Sequence, residues 1–273
     1  MIQKREVPAR NWLELPAEVI FVILHKLGAI EILTTAQNVC SLWYKICKDP
    51  FLWRVIDMHN SGDLNSFDHL EIMCKHAVDR SCGQLVEINI EHFGSDELLL
   101  YIANSSKQVR RLRLMGYSLY FTKEVLGVAV SELPLLEHLE IQSFIIGLDP
   151  ETLRTIGRCC HLLKSLKLKE LCYIGFISSS DEDALAIAET MPNLHHLEIV
   201  GNSITNFGLH ALLDSCSGLQ SLDLRKCMYL DFDEHLKKKC YQRIKTLRLP
   251  YEPVDGSTFQ WLTSGFPYNL PFP

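Results

Sequence analysis

Long hydrophobic runs are missing from this chain: purely apolar stretches such as Val19–Leu24 stay far below the roughly 20 residues that a membrane span needs. The expectation is a chain that does not enter a membrane. An excess of positive charge is also missing, since 27 Lys and Arg stand against 33 Asp and Glu for a net charge of −6. Nucleic-acid binders usually carry a basic face, so no nucleic-acid partner is expected. The opening Met1-Ile2-Gln3-Lys4-Arg5-Glu6 has no apolar core or cleavage site, and no secretory leader is expected. The ten cysteines therefore belong in a reducing compartment, nucleus or cytoplasm or both, where bridges are rare. No C-x-x-C pair exists among them, which argues against a metal site. P-loop, G-x-G-x-x-G, G-x-S-x-G and H-E-x-x-H signatures are absent as well. His196 and Glu198 share one strand face, but two groups do not make a metal site. The chain is expected to be no enzyme and to need no cofactor.

What is present is a repeat. The pattern L-x-x-L-x-L, clearest at Leu219-Gln220-Ser221-Leu222-Asp223-Leu224, recurs from Leu85, Val109, Leu136, Leu163, Leu194 and Ile244. Successive starts lie 24, 27, 27, 31, 25 and 25 residues apart, near the roughly 20–29 residue period of leucine-rich repeats. One such strand cannot shield its apolar side, whereas a stack of them does. The fourth and sixth positions are leucine or isoleucine in every copy, from Ile88 and Ile90 to Leu247 and Leu249, and are expected to point inward. Helical phrases such as Asn206–Leu213 lie between strands. The expected fold class is α/β, a solenoid with a curved parallel sheet on the concave side and helices on the convex side. Cys82, Cys160 and Cys216 precede strand starts by three residues, and Cys227 follows one by eight, as small packing residues at repeat corners.

Positions three and five point out and form a ladder across the strands. The candidate contacts to a target protein are Arg111 and Arg113, His138 and Glu140, Lys167, His196 and Glu198, and Asp223. Rungs of alternating sign suit a protein ligand with patterned charge better than a phosphate backbone. The same rungs also read as a plain solvated face. Aromatic residues just past the strands, Tyr117, Tyr120, Phe121, Phe144 and Tyr173, are candidate anchors, though half of them read equally as core. The long interval between Leu163 and Leu194 holds Ser178-Ser179-Ser180 and the acidic helix start Asp181-Glu182-Asp183, and extra solenoid residues emerge on one face, often the binding face.

The front of the chain is different. Leu15-Pro16-Ala17-Glu18 starts a helix with Val19, Ile20, Ile23, Leu24 and Leu27 on one face and Phe21 and Val22 on the other, ended by Gly28. A second helix is expected from Glu31 with Ile32, Leu33, Ala36, Val39 and Cys40, and a third with Leu42, Trp43, Ile46 and Cys47, stopped by Asp49-Pro50. So much apolar surface either caps the repeat stack or waits for another protein.

The order Leu15-Pro16-x-Glu18-Val19, Leu24, Leu27, Val39-Cys40-x-x-Trp43, Leu52-Trp53 resembles an F-box. With Asp57–Asn60 and Glu71–Arg80, the chain resembles plant F-box proteins with leucine-rich repeats of the Skp-interacting-partner type. The departures are Ser41, where a basic residue is usual, and the apolar Leu42. The resemblance implies an F-box over residues 11–53, a linker strand and helix over 54–84, repeats over 85–250 and a cap or tail over 251–273. It implies that Leu15, Pro16, Ile20, Leu24, Leu33, Val39 and Trp43 contribute to a contact with a Skp-type adaptor or to the core directly behind it. It implies the role of a non-catalytic substrate receptor of a cullin-RING ubiquitin ligase, with an unknown target protein. A ligase-independent repeat scaffold is the alternative, and a small-molecule receptor is disfavoured by the few apolar positions on the concave face.

Overall fold

The computed structural model describes residues 15–59, 67–116, 121–143, 148–170 and 178–254. Expectations that fall on Tyr117, Tyr120, Phe144, Tyr173 and the segment from Asp255 onward lie outside these residues. The chain divides into two compact units, Met1–Leu136 and Glu137–Pro273.

Unit 1 opens with three short helices, α1 (Ala17–His25), α2 (Ala29–Thr34) and α3 (Ser41–Ile46). Gly28 sits between the first two with φ +80°, a conformation that L side chains rarely adopt, which is why glycine rather than a helix former stands there. The second helix starts two residues before the expected Glu31 and stops at Thr34, giving way to a 3-10 turn over Ala36–Asn38. Val39 therefore lies beyond the helix, not on its face. Asp49 accepts the Phe51 N–H at 2.9 Å and starts the 3-10 turn Pro50–Arg54. Strand β1 (Val55–Met58) follows at once, as the repeat-like phasing of Trp53-x-x-Ile56-x-Met58 suggests.

From there strand and helix alternate: α4 (Phe67–Arg80), β2 (Glu87–Glu91), α5 (Asp96–Ser105), β3 (Arg111–Gly116) and α6 (Lys123–Ser131). The three strands are parallel and paired on equivalent repeat positions, Ile56 with Ile88 and Ile88 with Leu112. Arg80 joins the opening helices to this array. It donates to Gln37 Oε1 at 2.9 Å and to the Cys47 carbonyl at 3.4 Å, and its guanidinium lies 5.3 Å from the Trp53 ring centroid. Trp53 is itself buried and donates to the same Cys47 carbonyl at 2.8 Å.

Unit 2 continues the pattern with β4 (His138–Ser143), α7 (Pro150–Cys159), β5 (Ser165–Glu170), α8 (Glu182–Thr190), β6 (His196–Val200), α9 (Asn206–Ser215), β7 (Ser221–Asp223), α10 (Glu234–Arg243) and β8 (Thr246–Arg248). Its five strands are parallel, with Leu139, Leu166, Leu197, Leu222 and Leu247 in one register line. All the inward leucines and isoleucines of β2 to β7 are buried. Leu247 on β8 and Leu249 just after it are half-buried.

Helix starts are tied to each other as well as to their own first turns. Thr122 caps α6 through the Val125 N–H and donates its own N–H to Asp96 on α5 at 2.6 Å. The Asp181 carboxylate does not cap its own helix; it accepts from Thr205 N–H, Thr205 Oγ1 and Gly208 N–H at 2.7, 2.7 and 3.1 Å at the start of α9. A Cβ on Gly208 would stand 2.5 Å from that carboxylate, so only glycine permits the approach. The acidic start read from Asp181-Glu182-Asp183 thus serves the following repeat.

Cys160, Cys216 and Cys227 are buried corner residues, with the thiols of Cys216 and Cys227 directed at carbonyls of the preceding repeat. Cys82 departs from that expectation: it is exposed, in a left-handed turn with φ 48°. Burial pushes the Cys74 and Cys160 thiols up to about 12 and the Cys216 and Cys240 thiols up to about 11. Because the thiolate is the reactive form, mass-spectrometric mapping of alkylation in the folded protein is expected to find Cys82 modified well before these four. Equal rates would show that the corners open. The raised values also hold stability below pH 9.0 that is lost as pH rises towards about 12.

The end of unit 2 carries a buried ion pair. Asp223, at an outward ladder position, has a side chain only 7% exposed because Arg225 folds over it, with contacts of 2.7–3.0 Å to both carboxylate oxygens. Arg225 Nη1 also donates to the Pro253 carbonyl at 3.0 Å. The turn that brings Pro253 there is closed by Glu252, which accepts from Leu249 N–H at 2.9 Å and pairs with Arg248 at 3.2 Å; these partners hold its carboxyl below the usual range. Replacing Arg225 by Ala strands a buried carboxylate, and a loss of about 3–5 kcal/mol in chemical denaturation is expected. The Arg225→Leu/Asp223→Leu double variant should lose much less. Equal losses would refute the coupling.

Candidate interaction surfaces

On the opening helices burial sorts the expected adaptor residues into two groups. Ile20 and Leu24 are fully buried and Trp43 is buried, so of the two roles left open these three take the core. Leu15 and Leu33 are half-buried, Pro16 is exposed and Val39 is 54% exposed. Val19 and Val22, which were not among the expected contacts, are exposed beside Pro16, Val22 by 55%. Residues 16, 19 and 22 are three apart and so run along one helix face. The signal for them was present in the sequence: with Ile20 and Leu24 inward, an apolar Val22 has no inward place left. Tyr44 and Phe51 extend the exposed apolar set. The Phe21 and Phe51 ring centroids lie 5.9 Å apart, and Arg54 lies 5.0 Å from the Phe51 ring. Lys48, hydrogen-bonded to the Tyr44 hydroxyl and 4.3 Å from its ring centroid, holds that phenol below its ordinary value.

The strand faces carry their charges as cross-strand pairs. In unit 1 Arg111 lies 3.5 Å from Glu87, and Asn89 donates to Asp57 at 2.7 Å, one rung from the half-buried Arg113. His59 and Glu91 are also paired. In unit 2 Lys167 reaches Glu198 at 3.0 Å, while Lys169 sits between Glu140 at 3.2 Å and Glu198 at 3.7 Å. Glu140, Lys167, Lys169 and Glu198 thus form one compensated chain across β4, β5 and β6. His138 is half-buried and His196 exposed on the neighbouring rung. Asp223 does not join this surface, since Arg225 and the Pro253 carbonyl cover it; its place as a target contact is corrected to that of a structural ion pair. Lys169, in turn, was not expected there and connects both glutamates.

Phe121, read as either an anchor or a core residue, is buried and takes the core. Among the described residues, no group of three or more His, Cys, Asp or Glu is placed to hold a metal ion. No helix among them is long and apolar enough to cross a membrane.

Comparison with known proteins agrees with this arrangement of short helices followed by parallel repeats. Residues 12–59 match the F-box-like family. The chain is 49% identical over 245 residues to F-box protein SKIP19 of Arabidopsis thaliana, covering 89% of this chain and 78% of that protein. It is 41% identical over 263 residues to putative F-box/LRR-repeat protein 22 of the same plant, covering 94% and 83%. Putative F-box/LRR-repeat protein 23, also from Arabidopsis, is 48% identical over 248 residues, but this chain spans only 55% of its length. With an F-box-like front, repeats in register behind it and relatives of this closeness over most of its length, the chain belongs to the family of plant F-box proteins with leucine-rich repeats.

Proposed function

We propose that the chain is a substrate receptor of a cullin-RING ubiquitin ligase. The opening helices dock on a Skp-type adaptor through the exposed side chains of Pro16, Val19, Val22 and Val39, with the half-buried Leu15 and Leu33 contributing and the buried Ile20, Leu24 and Trp43 forming the core that supports them. The observation that carries this reading is that apolar face, left wet on a segment that matches the F-box-like family. Burying apolar surface contributes roughly 25 cal/mol per Å², so covering these side chains with a partner is favourable.

The strand face of each unit offers side chains to a target protein: Arg111 and Arg113 in unit 1, and His138, Glu140, Lys167, His196 and Glu198 in unit 2. The receptor performs no chemistry itself. It raises the local concentration of target lysines beside a ubiquitin-charged enzyme, converting a bimolecular encounter into a nearly intramolecular one. Arg80, at the end of α4, ties the opening helices to the array by its bonds to Gln37 and the Cys47 carbonyl.

Val22→Glu/Val39→Glu is the variant of choice, since both residues are exposed and neither supports the core. It is expected to fold with an unchanged circular dichroism spectrum and to lose adaptor co-purification. A folded variant that still brings down the adaptor would remove the ligase reading and leave the ligase-independent scaffold.

A further inference from the structure

Three loops of unit 2, those following β6, β7 and β8, are laced together by hydrogen bonds. Asn206 donates from Nδ2 to the Asp231 carbonyl at 2.7 Å and accepts the Asp231 N–H at 3.0 Å. The Gly201 N–H reaches the Arg225 carbonyl, and the Lys226 N–H the Pro250 carbonyl, each at 2.9 Å. On or directly beside these loops stand large apolar side chains facing water: Phe207 is 66% exposed, Met228 48%, Tyr229 46% and Tyr251 75%. Scattered singly, exposed apolar residues need no explanation; gathered on adjoining loops, they mark a contact surface.

On its Asp231–Glu234 side this patch is bordered by carboxylates, while Lys226 stands on the β7 loop and Lys237 and Lys238 follow on α10. Asp231 and Glu234 are exposed, Glu234 almost completely, with Asp233 between them capping α10 through the Leu236 N–H at 2.7 Å. Lys237 pairs with Glu234 at 2.8 Å, but at that exposure the pair is solvated and leaves the carboxylate available to a second cation. The strand face of the same unit differs on both counts: its charges are mutually compensated, and its outward positions offer few apolar anchors.

We propose that this loop edge docks a segment of the target protein in which an aromatic or aliphatic anchor is flanked by lysine or arginine. The proposal rests on the reading of the repeats as the target-holding part. The anchor packs among Phe207, Met228, Tyr229 and Tyr251, as aromatic and methionine side chains do at contact cores. The flanking cations meet Asp231 and Glu234, which select against acid-flanked segments and speed the encounter.

The test is fluorescence anisotropy of the full chain with synthetic peptides that share one aromatic core and differ only in lysine, glutamate or serine flanks. The lysine-flanked peptide is expected to bind about tenfold more tightly than the glutamate-flanked one at low salt, with the preference fading as salt is added. Phe207→Ser/Tyr251→Ser should weaken it by about tenfold, and Asp231→Asn/Glu234→Gln should equalise the peptides without abolishing binding. Indifference to the flanks, or binding unchanged in Phe207→Ser/Tyr251→Ser, would overturn the proposal. So would a wild-type dimer in light scattering that the serine variant dissolves, since the patch would then belong to a second copy. Adaptor co-purification is read separately, so failure at this edge is distinct from failure of the ligase reading.

Discussion

Parallel pairing on equivalent repeat positions is the constraint on which both units depend. When Leu139 pairs with Leu166 and Leu166 with Leu197, every inward side chain meets its counterpart and every outward one is delivered to a common face. A slip of one residue on any strand would turn its leucines to water and its charges to the core. The buried Leu and Ile pairs make that slip expensive, since each large side chain contributes roughly 1.5–3 kcal/mol when buried. The ion-pair chain through Glu140, Lys169, Glu198 and Lys167 is a result of this register rather than its cause, because half-exposed pairs contribute little.

Much of this was legible in the residues. The inward pairs, the strand starts, the first strand at Ile56 and Met58 and the acidic start of α8 all follow from local spacing, because a short-period pattern is satisfied within its own segment. The features that escaped were those decided by a distant partner. Asp223 has the spacing of a solvent-facing rung, and only the fold of Leu249–Pro253 brings a carbonyl to Arg225 above it. Phe121 looks like a loop aromatic until the packing around it is known. Cys82 shares its offset with Cys160 and Cys216 but sits in a left-handed turn that leaves it in water.

The exposed apolar residues of the opening helices were legible in kind but not one by one. A helix apolar on two sides needs two covers, and the structure assigns the inner cover to Ile20 and Leu24. The pattern did not separate these from Pro16, Val19 and Val22, because motif resemblance ranks residues by recurrence, not by which side of the helix they occupy. Burial makes that separation, and it sets the exposed apolar residues of α1 about a third of a helical turn from the buried pair.

The cross-bonded helix starts have a bearing on how such an array changes over time. Asp96 serves Thr122, and Asp181 serves Thr205 and Gly208, so each donor and acceptor set straddles a repeat boundary. A module inserted or removed whole keeps such contacts intact on both sides, whereas a cut within a module leaves a carboxylate without its threonine. Growth and loss by complete units is therefore the inexpensive route for this architecture, and the length of the array is free to vary while the front helices stay as they are.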